Sequence, residues 1–79
     1  MSVVTIFAQI LSEIRKEKGL SQETLAEKAG LDRTYISMLE RGKRQPTLET
    51  LFKLSEALKI SPVSFIEKIN RKHENNKGS

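Results

Sequence analysis

Apolar residues recur at helical spacing in five separate stretches of this chain, and a turn-forming residue closes each of the first three. From Val3 to Lys18, the residues Phe7, Ile10, Leu11 and Ile14 share one stripe, with Glu13, Arg15, Lys16 and Glu17 mostly outside it, and Gly19 stops the helix. Ser21 is an N-cap for a second helix ending at Ala29, with Leu25 and Ala26 inward and Gly30 as its stop. Asp32 caps a third helix, Arg33 to about Arg41, which turns Ile36 and either Leu39 or Glu40 towards the core before Gly42 closes it. After the loop Lys43-Arg44-Gln45-Pro46, Thr47 caps a fourth helix over residues 48–58, with Leu48, Leu51, Phe52, Ser55 and Leu58 as its apolar stripe. Ser61 and then Pro62 open a fifth helix, because the fixed φ and missing N–H of proline suit the first helical position. It is expected to reach Arg71 or Lys72. The pattern predicts an all-α, compact five-helix domain over residues 3–72, followed by a flexible tail over 73–79.

Composition narrows the chemistry. A chain of 79 residues supports one small domain and leaves little room for a large internal active site. Without cysteine there is no disulfide and no thiolate metal site, and a lone histidine, His73, makes no zinc cluster. The scattered serines have no histidine near them in sequence, so neither catalysis nor a cofactor is expected. No apolar run approaches the roughly 20 residues of a membrane span. The N-terminal stretch also lacks the basic start and small-residue cleavage site of a secretory signal, so a cytoplasmic protein is expected.

Charge placement says more than the net charge of +4. Residues 33–44 carry four basic side chains against Glu40 alone, gathered at the ends of the third helix. A phosphate-lined groove rewards that pattern and a packed core does not. Only Gly30, Leu31 and Asp32 separate the second helix from the third, and so short a glycine-led turn forces a sharp crossing. That is a helix-turn-helix signal, although plain helical bundles also contain such turns.

The residues "IRKEKGLSQETLAEKAGLDRTYISMLERGKRQPTLETLFKLSEAL" resemble the Cro/repressor-type, or xenobiotic-response-element-like, helix-turn-helix family. The likeness rests on the order and spacing of "LSQ", "LA", "AG", "IS", "LERG" and the later proline and leucines. More narrowly, the short length and "LDRTYIS" resemble controller proteins of bacterial restriction-modification systems. The resemblance implies a lambda-repressor-like fold and a homodimer that places the third helix of each subunit in successive major grooves of double-stranded DNA.

Carried onto this chain, that docking brings the N-terminal end of the third helix to the base edges. Arg33 can then span guanine O6 and N7, while Thr34 and Ser37 add shorter contacts; the plainer alternative is a solvated arginine beside two surface hydroxyls. Tyr35 is a candidate phosphate contact, with packing at the domain edge as an equal competitor. Lys43 and Arg44, beyond the closing glycine, are candidate phosphate contacts that set affinity and register. The family's matching glutamine holds a phosphate, which gives Gln22 that role and lets it brace the start of the third helix. Arg15 and Glu40 sit where an apolar face expects packed residues, and the resemblance pairs them as an internal ion pair between the first and third helices.

On the fifth helix, Val63, Phe65, Ile66 and Ile69 exceed what one side of a tiny core requires. Some must pack inward; Phe65 and Ile69 are the candidates for a dimer interface. The expected function is a sequence-specific transcriptional regulator on a two-fold operator, with restriction-modification genes as one candidate target set. Two other readings remain open here: an antitoxin-like module that binds a protein as well as DNA, and a helical adaptor that binds no DNA. Neither a membrane nor a small-molecule ligand is expected.

Overall fold

The computed structural model describes residues 1–77, which form five α-helices: α1 (Val3–Glu17), α2 (Gln22–Ala29), α3 (Arg33–Glu40), α4 (Leu48–Leu58) and α5 (Pro62–Lys77). Side-chain oxygens cap the first four. Ser2, Ser21 and Thr47 each accept the backbone N–H of the residue three positions on, at 3.1, 3.0 and 3.0 Å, and Asp32 accepts that of Thr34 at 3.4 Å. These bonds satisfy donors that the first turn of a helix leaves unpaired. At the other end of α2, Gly30 adopts a left-handed conformation with φ +67°, and Leu31 N–H returns to the carbonyl of Ala26 at 2.9 Å. Gly42 does the same for α3 with φ +71°, releasing Lys43 and Arg44 into the following loop. Lys59 makes the equivalent turn after α4 without being glycine, at φ +58°.

One hydrophobic core joins all five helices. Ile6, Phe7, Ile10, Leu11 and Ile14 of α1 meet Leu25, Ala26 and Ala29 of α2, Ile36 and Leu39 of α3, Leu51, Leu54 and Leu58 of α4, and Phe65 and Ile69 of α5. Helix α1 packs on α3 and α5, and α2 packs on α3 and α4, so α3 is held from two sides. Phe7 and Phe65 stack with centroids 5.4 Å apart and planes 15° from parallel. At the edge, Lys72 Nζ lies 3.4 Å from Glu13 Oε1, clasping α5 to α1.

Three expectations need correction. Helix α5 does not end at Lys72 but runs on to Lys77, so residues 73–77 continue the helix; Gly78 and Ser79, the rest of the expected tail, lie outside the described residues. Helix α4 buries Thr50, Leu51, Leu54, Ser55 and Leu58, leaving Leu48 and Phe52 in solvent at 73 % and 53 % exposure. The leucines and phenylalanine of α4 cover an arc of about 160° at about 3.6 residues per turn. Contacts with α2 and α5 claim the Leu54 edge of that arc and expose the other. Phe65, 0 % exposed, is a core residue of the single chain and offers no surface to a partner, while Ile69, 8 % exposed, belongs to the core and also lines an apolar groove beside Ile66. Stacking on Phe7 takes the Phe65 ring inward, and the outward apolar side chains of α5 are Val63 and Ile66.

Candidate nucleic-acid interface

Gly30, Leu31 and Asp32 turn the chain from α2 into α3, and the two helices pack against each other. Leu31 packs against the core while its neighbours lie in solvent, so the turn itself is anchored. The first turn of α3 therefore projects outward. Arg33 and Thr34 are exposed, Ser37 is half-buried one turn later, and Ile36 and Leu39 are wholly buried beneath them. The reading candidates and the anchoring residues occupy opposite faces of one eight-residue helix.

The rear of α3 is tied down by charge. Arg15 Nε donates to Glu40 Oε2 at 2.6 Å, a second Arg15 nitrogen donates to Glu40 Oε1 at 2.9 Å, and a third donates to the Leu20 carbonyl at 2.9 Å. A bidentate guanidinium–carboxylate pair of this kind sets orientation as well as distance. Gln22 Nε2 also donates to Glu40 Oε1, at 3.1 Å. Glu40 thus gathers α1, α2 and α3 at one carboxylate. Its acceptor bond to Arg15 raises the pKa of that arginine. Burial pushes the Glu40 carboxyl up, but bonds from Arg15 and Gln22 and the positive charges of Arg15 and Lys16 hold it, on balance, below its ordinary value.

Gln22 consequently braces the end of α3 rather than its start, because its half-buried side chain turns back to Glu40. Ser21 caps α2 as its position indicates, leaving the first turn of that helix beside Gln22. Tyr35 is half-buried, packs against the core, and places its hydroxyl 3.3 Å from Thr50 Oγ1. Arg44 lies over the Tyr35 ring, its guanidinium carbon 5.7 Å from the centroid, a cation–π arrangement. The structure so brings Tyr35 and Arg44 into one unit. Lys43 is exposed next to it, while Arg41 folds back, its Nε donating to the Ser37 carbonyl at 3.4 Å.

Sequence reasoning missed two members of this arrangement. Thr50 received no role, and Thr47 was only a cap, yet their hydroxyl oxygens lie 2.8 Å apart and continue the chain of hydroxyls from Tyr35. The available signal was the Thr-Leu-Glu-Thr spacing, which puts a second hydroxyl one turn from the capping residue.

A buried helix face, a glycine turn and an outward basic helix end define a DNA-binding helix-turn-helix domain. Comparison with known proteins agrees: a helix-turn-helix family model matches residues 11–65. Control protein C.SmaI of Serratia marcescens is 40 % identical over 74 residues, covering 94 % of this chain and 88 % of that protein. Among solved structures, the restriction-modification controller protein C.AhdI of Aeromonas hydrophila shares 48 % identity with a TM-score of 0.76, over 78 % of this chain and 94 % of that one. Controller protein C.Esp1396I, solved as a tetramer in complex with its natural 35 base-pair operator, shares 38 % identity with a TM-score of 0.84, over 90 % of this chain and 93 % of that one. The chain belongs to the Cro-like helix-turn-helix family, among the controller proteins: sequence-specific DNA-binding regulators, not enzymes. Among the described residues no helix is long and apolar enough to cross a membrane.

Proposed function

We propose that this protein is a homodimeric transcriptional regulator of restriction-modification genes, binding a two-fold operator through α3 of each subunit. The observation carrying the reading is the outward first turn of α3, with Arg33 and Thr34 exposed while Ile36 and Leu39 are sealed below. In this reading Arg33, Thr34 and Ser37 meet base edges. Gln22, Tyr35, Lys43 and Arg44 meet phosphates, Gln22 with whatever hydrogen-bonding capacity Glu40 leaves free. A good bidentate arginine contact supplies roughly 1–3 kcal/mol of base discrimination. Each phosphate neutralised by Lys43 or Arg44 contributes about 0.9 to the salt slope.

For the subunit contact, the exposed apolar groups Val3, Leu48 and Ile66 support the reading, since they converge on one groove with Val4, Phe7 and Leu51. Phe52 and Val63 extend that face by one helical turn from Leu48 and Ile66. A two-fold contact there sets two copies of α3 against half-sites separated by about 34–36 Å or a multiple of a helical turn.

Selection from randomised duplexes at a stated salt concentration tests the proposal. The expected product is a two-fold motif, with Arg33→Ala losing base preference and Lys43→Ala losing affinity about equally for all sequences. A folded protein that recovers no symmetric motif refutes the two-fold operator. Equal effects of both variants on every sequence refute base reading by Arg33.

A further inference from the structure

Of the two buried polar side chains among the described residues, Thr50 and Ser55, only Thr50 has hydrogen-bonding partners for its hydroxyl. Those partners belong to different elements: Tyr35 Oη on α3 at 3.3 Å and Thr47 Oγ1 at the start of α4 at 2.8 Å. Capping of α4 does not need the Thr50 hydroxyl, because the capping bond runs from Thr50 backbone N–H to Thr47 Oγ1 at 3.0 Å. The hydroxyl is therefore left with one further contact to explain, the phenol of Tyr35.

We infer that Thr50 is a positioning residue for DNA binding, holding Tyr35 in place so that the Tyr35 ring seats Arg44 against the phosphate backbone. The inference rests on the proposed assignment of Tyr35 and Arg44 to phosphates. Arg44 is exposed, and immobilising a long side chain at an interface costs conformational entropy. Its guanidinium already lies over the Tyr35 ring at 5.7 Å, which restricts it before DNA arrives. The ring is held along one side by the core and at its hydroxyl by Thr50.

Proton bookkeeping favours the same arrangement. When Tyr35 donates its hydroxyl proton to a phosphate oxygen, Thr50 donates to Tyr35 and Thr47 donates to Thr50. Thr47 Oγ1 still accepts the Thr50 N–H. Each hydroxyl then donates once and accepts once, and a chain of this kind strengthens its members. Thr50 acts only through Tyr35 and Arg44, since it is 6 % exposed.

Binding of the selected duplex is measured by fluorescence anisotropy over a salt series, with melting temperatures as the folding control. Thr50→Val, which keeps the shape and removes the hydroxyl, is expected to weaken binding about fivefold, the usual worth of one hydrogen bond. Thr50→Ser restores affinity, and Thr50→Ala provides a second removal of the hydroxyl should the valine variant fail to fold. In a Tyr35→Phe background the threonine change has no further effect. Wild-type binding by folded Thr50→Val or Thr50→Ala, or an equal loss in both backgrounds, overturns the inference. If Arg44→Ala leaves affinity and salt slope unchanged, the phosphate assignment beneath it fails instead.

Discussion

Replacing Glu40 with glutamine removes one negative charge from the junction of three helices while keeping the volume of the side chain. Wild-type Glu40 accepts two bonds from Arg15, at 2.6 and 2.9 Å, and one from Gln22 at 3.1 Å. After Glu40→Gln, the new amide nitrogen faces at least one donor, and the Arg15 guanidinium keeps its bond to the Leu20 carbonyl but loses its counter-charge. Breaking a buried pair from one side costs about 3–5 kcal/mol, and an exposed one about 0–1 kcal/mol. The side chains here retain 12 % and 6 % exposure, so solvent reaches the edge of the pair and the expected loss is discounted to about 2–3 kcal/mol. At about 4–8 °C per kcal/mol for a domain of this size, the melting temperature falls by about 10–20 °C.

The effect has a pH signature. Because the folded-state pKa of Glu40 is depressed, its stabilisation is complete above the ordinary carboxylate range and disappears as pH falls through the folded value. The gap between wild type and Glu40→Gln is therefore constant from about pH 6 to 8 and narrows below about pH 4. Urea denaturation followed by circular dichroism across that range measures it. A gap below about 0.5 kcal/mol at pH 7 would mean that the pair behaves as an exposed one. A gap that stays unchanged down to pH 2.5 would remove the charge from the explanation.

Phe65→Ala is expected to cost about 3–5 kcal/mol, read by chemical denaturation, because it empties the stacked site opposite Phe7. Ile66→Glu, on the exposed side of the same helix, leaves the fold intact but shifts sedimentation towards the monomer; an unchanged dimer would remove Ile66 from the interface. Lys59→Gly should stabilise by about 0.5–1 kcal/mol, since a glycine takes the left-handed turn at φ +58° without a Cβ penalty. Ser55→Ala should be neutral or stabilising by up to about 1 kcal/mol in thermal melts, because the buried Ser55 Oγ has no hydrogen-bond partner.

Much of this molecule was legible without coordinates because its governing interactions are local. Caps at Ser21, Asp32 and Thr47, stops at Gly30 and Gly42, and the 3.6-residue stripe of α1 depend on neighbours within a turn or two. The outward basic start of α3 was legible too, since Arg33 and Thr34 follow a cap while Ile36 and Leu39 mark the opposite face. Arg15 and Glu40 drew attention as charges on apolar faces, but the bidentate geometry and the added bond from Gln22 join residues up to 25 positions apart.

What the tertiary structure alone decided was the division of surplus apolar surface. Helix α4 carries a wider apolar arc than one core can cover, and α5 a similar excess, so periodicity could not choose which edge faces inward. Packing chose Leu54 and Phe65 and left Leu48, Phe52, Val63 and Ile66 outside. The same packing brought the Thr50 hydroxyl to that of Tyr35, 15 positions away in the chain, a contact that the Thr-Leu-Glu-Thr spacing alone does not specify. Local chemistry, written in a few adjacent residues, set the helices and their ends. Relative rotation of those helices depends on the summed contacts of all five, and it decided which apolar side chains became core and which stayed exposed.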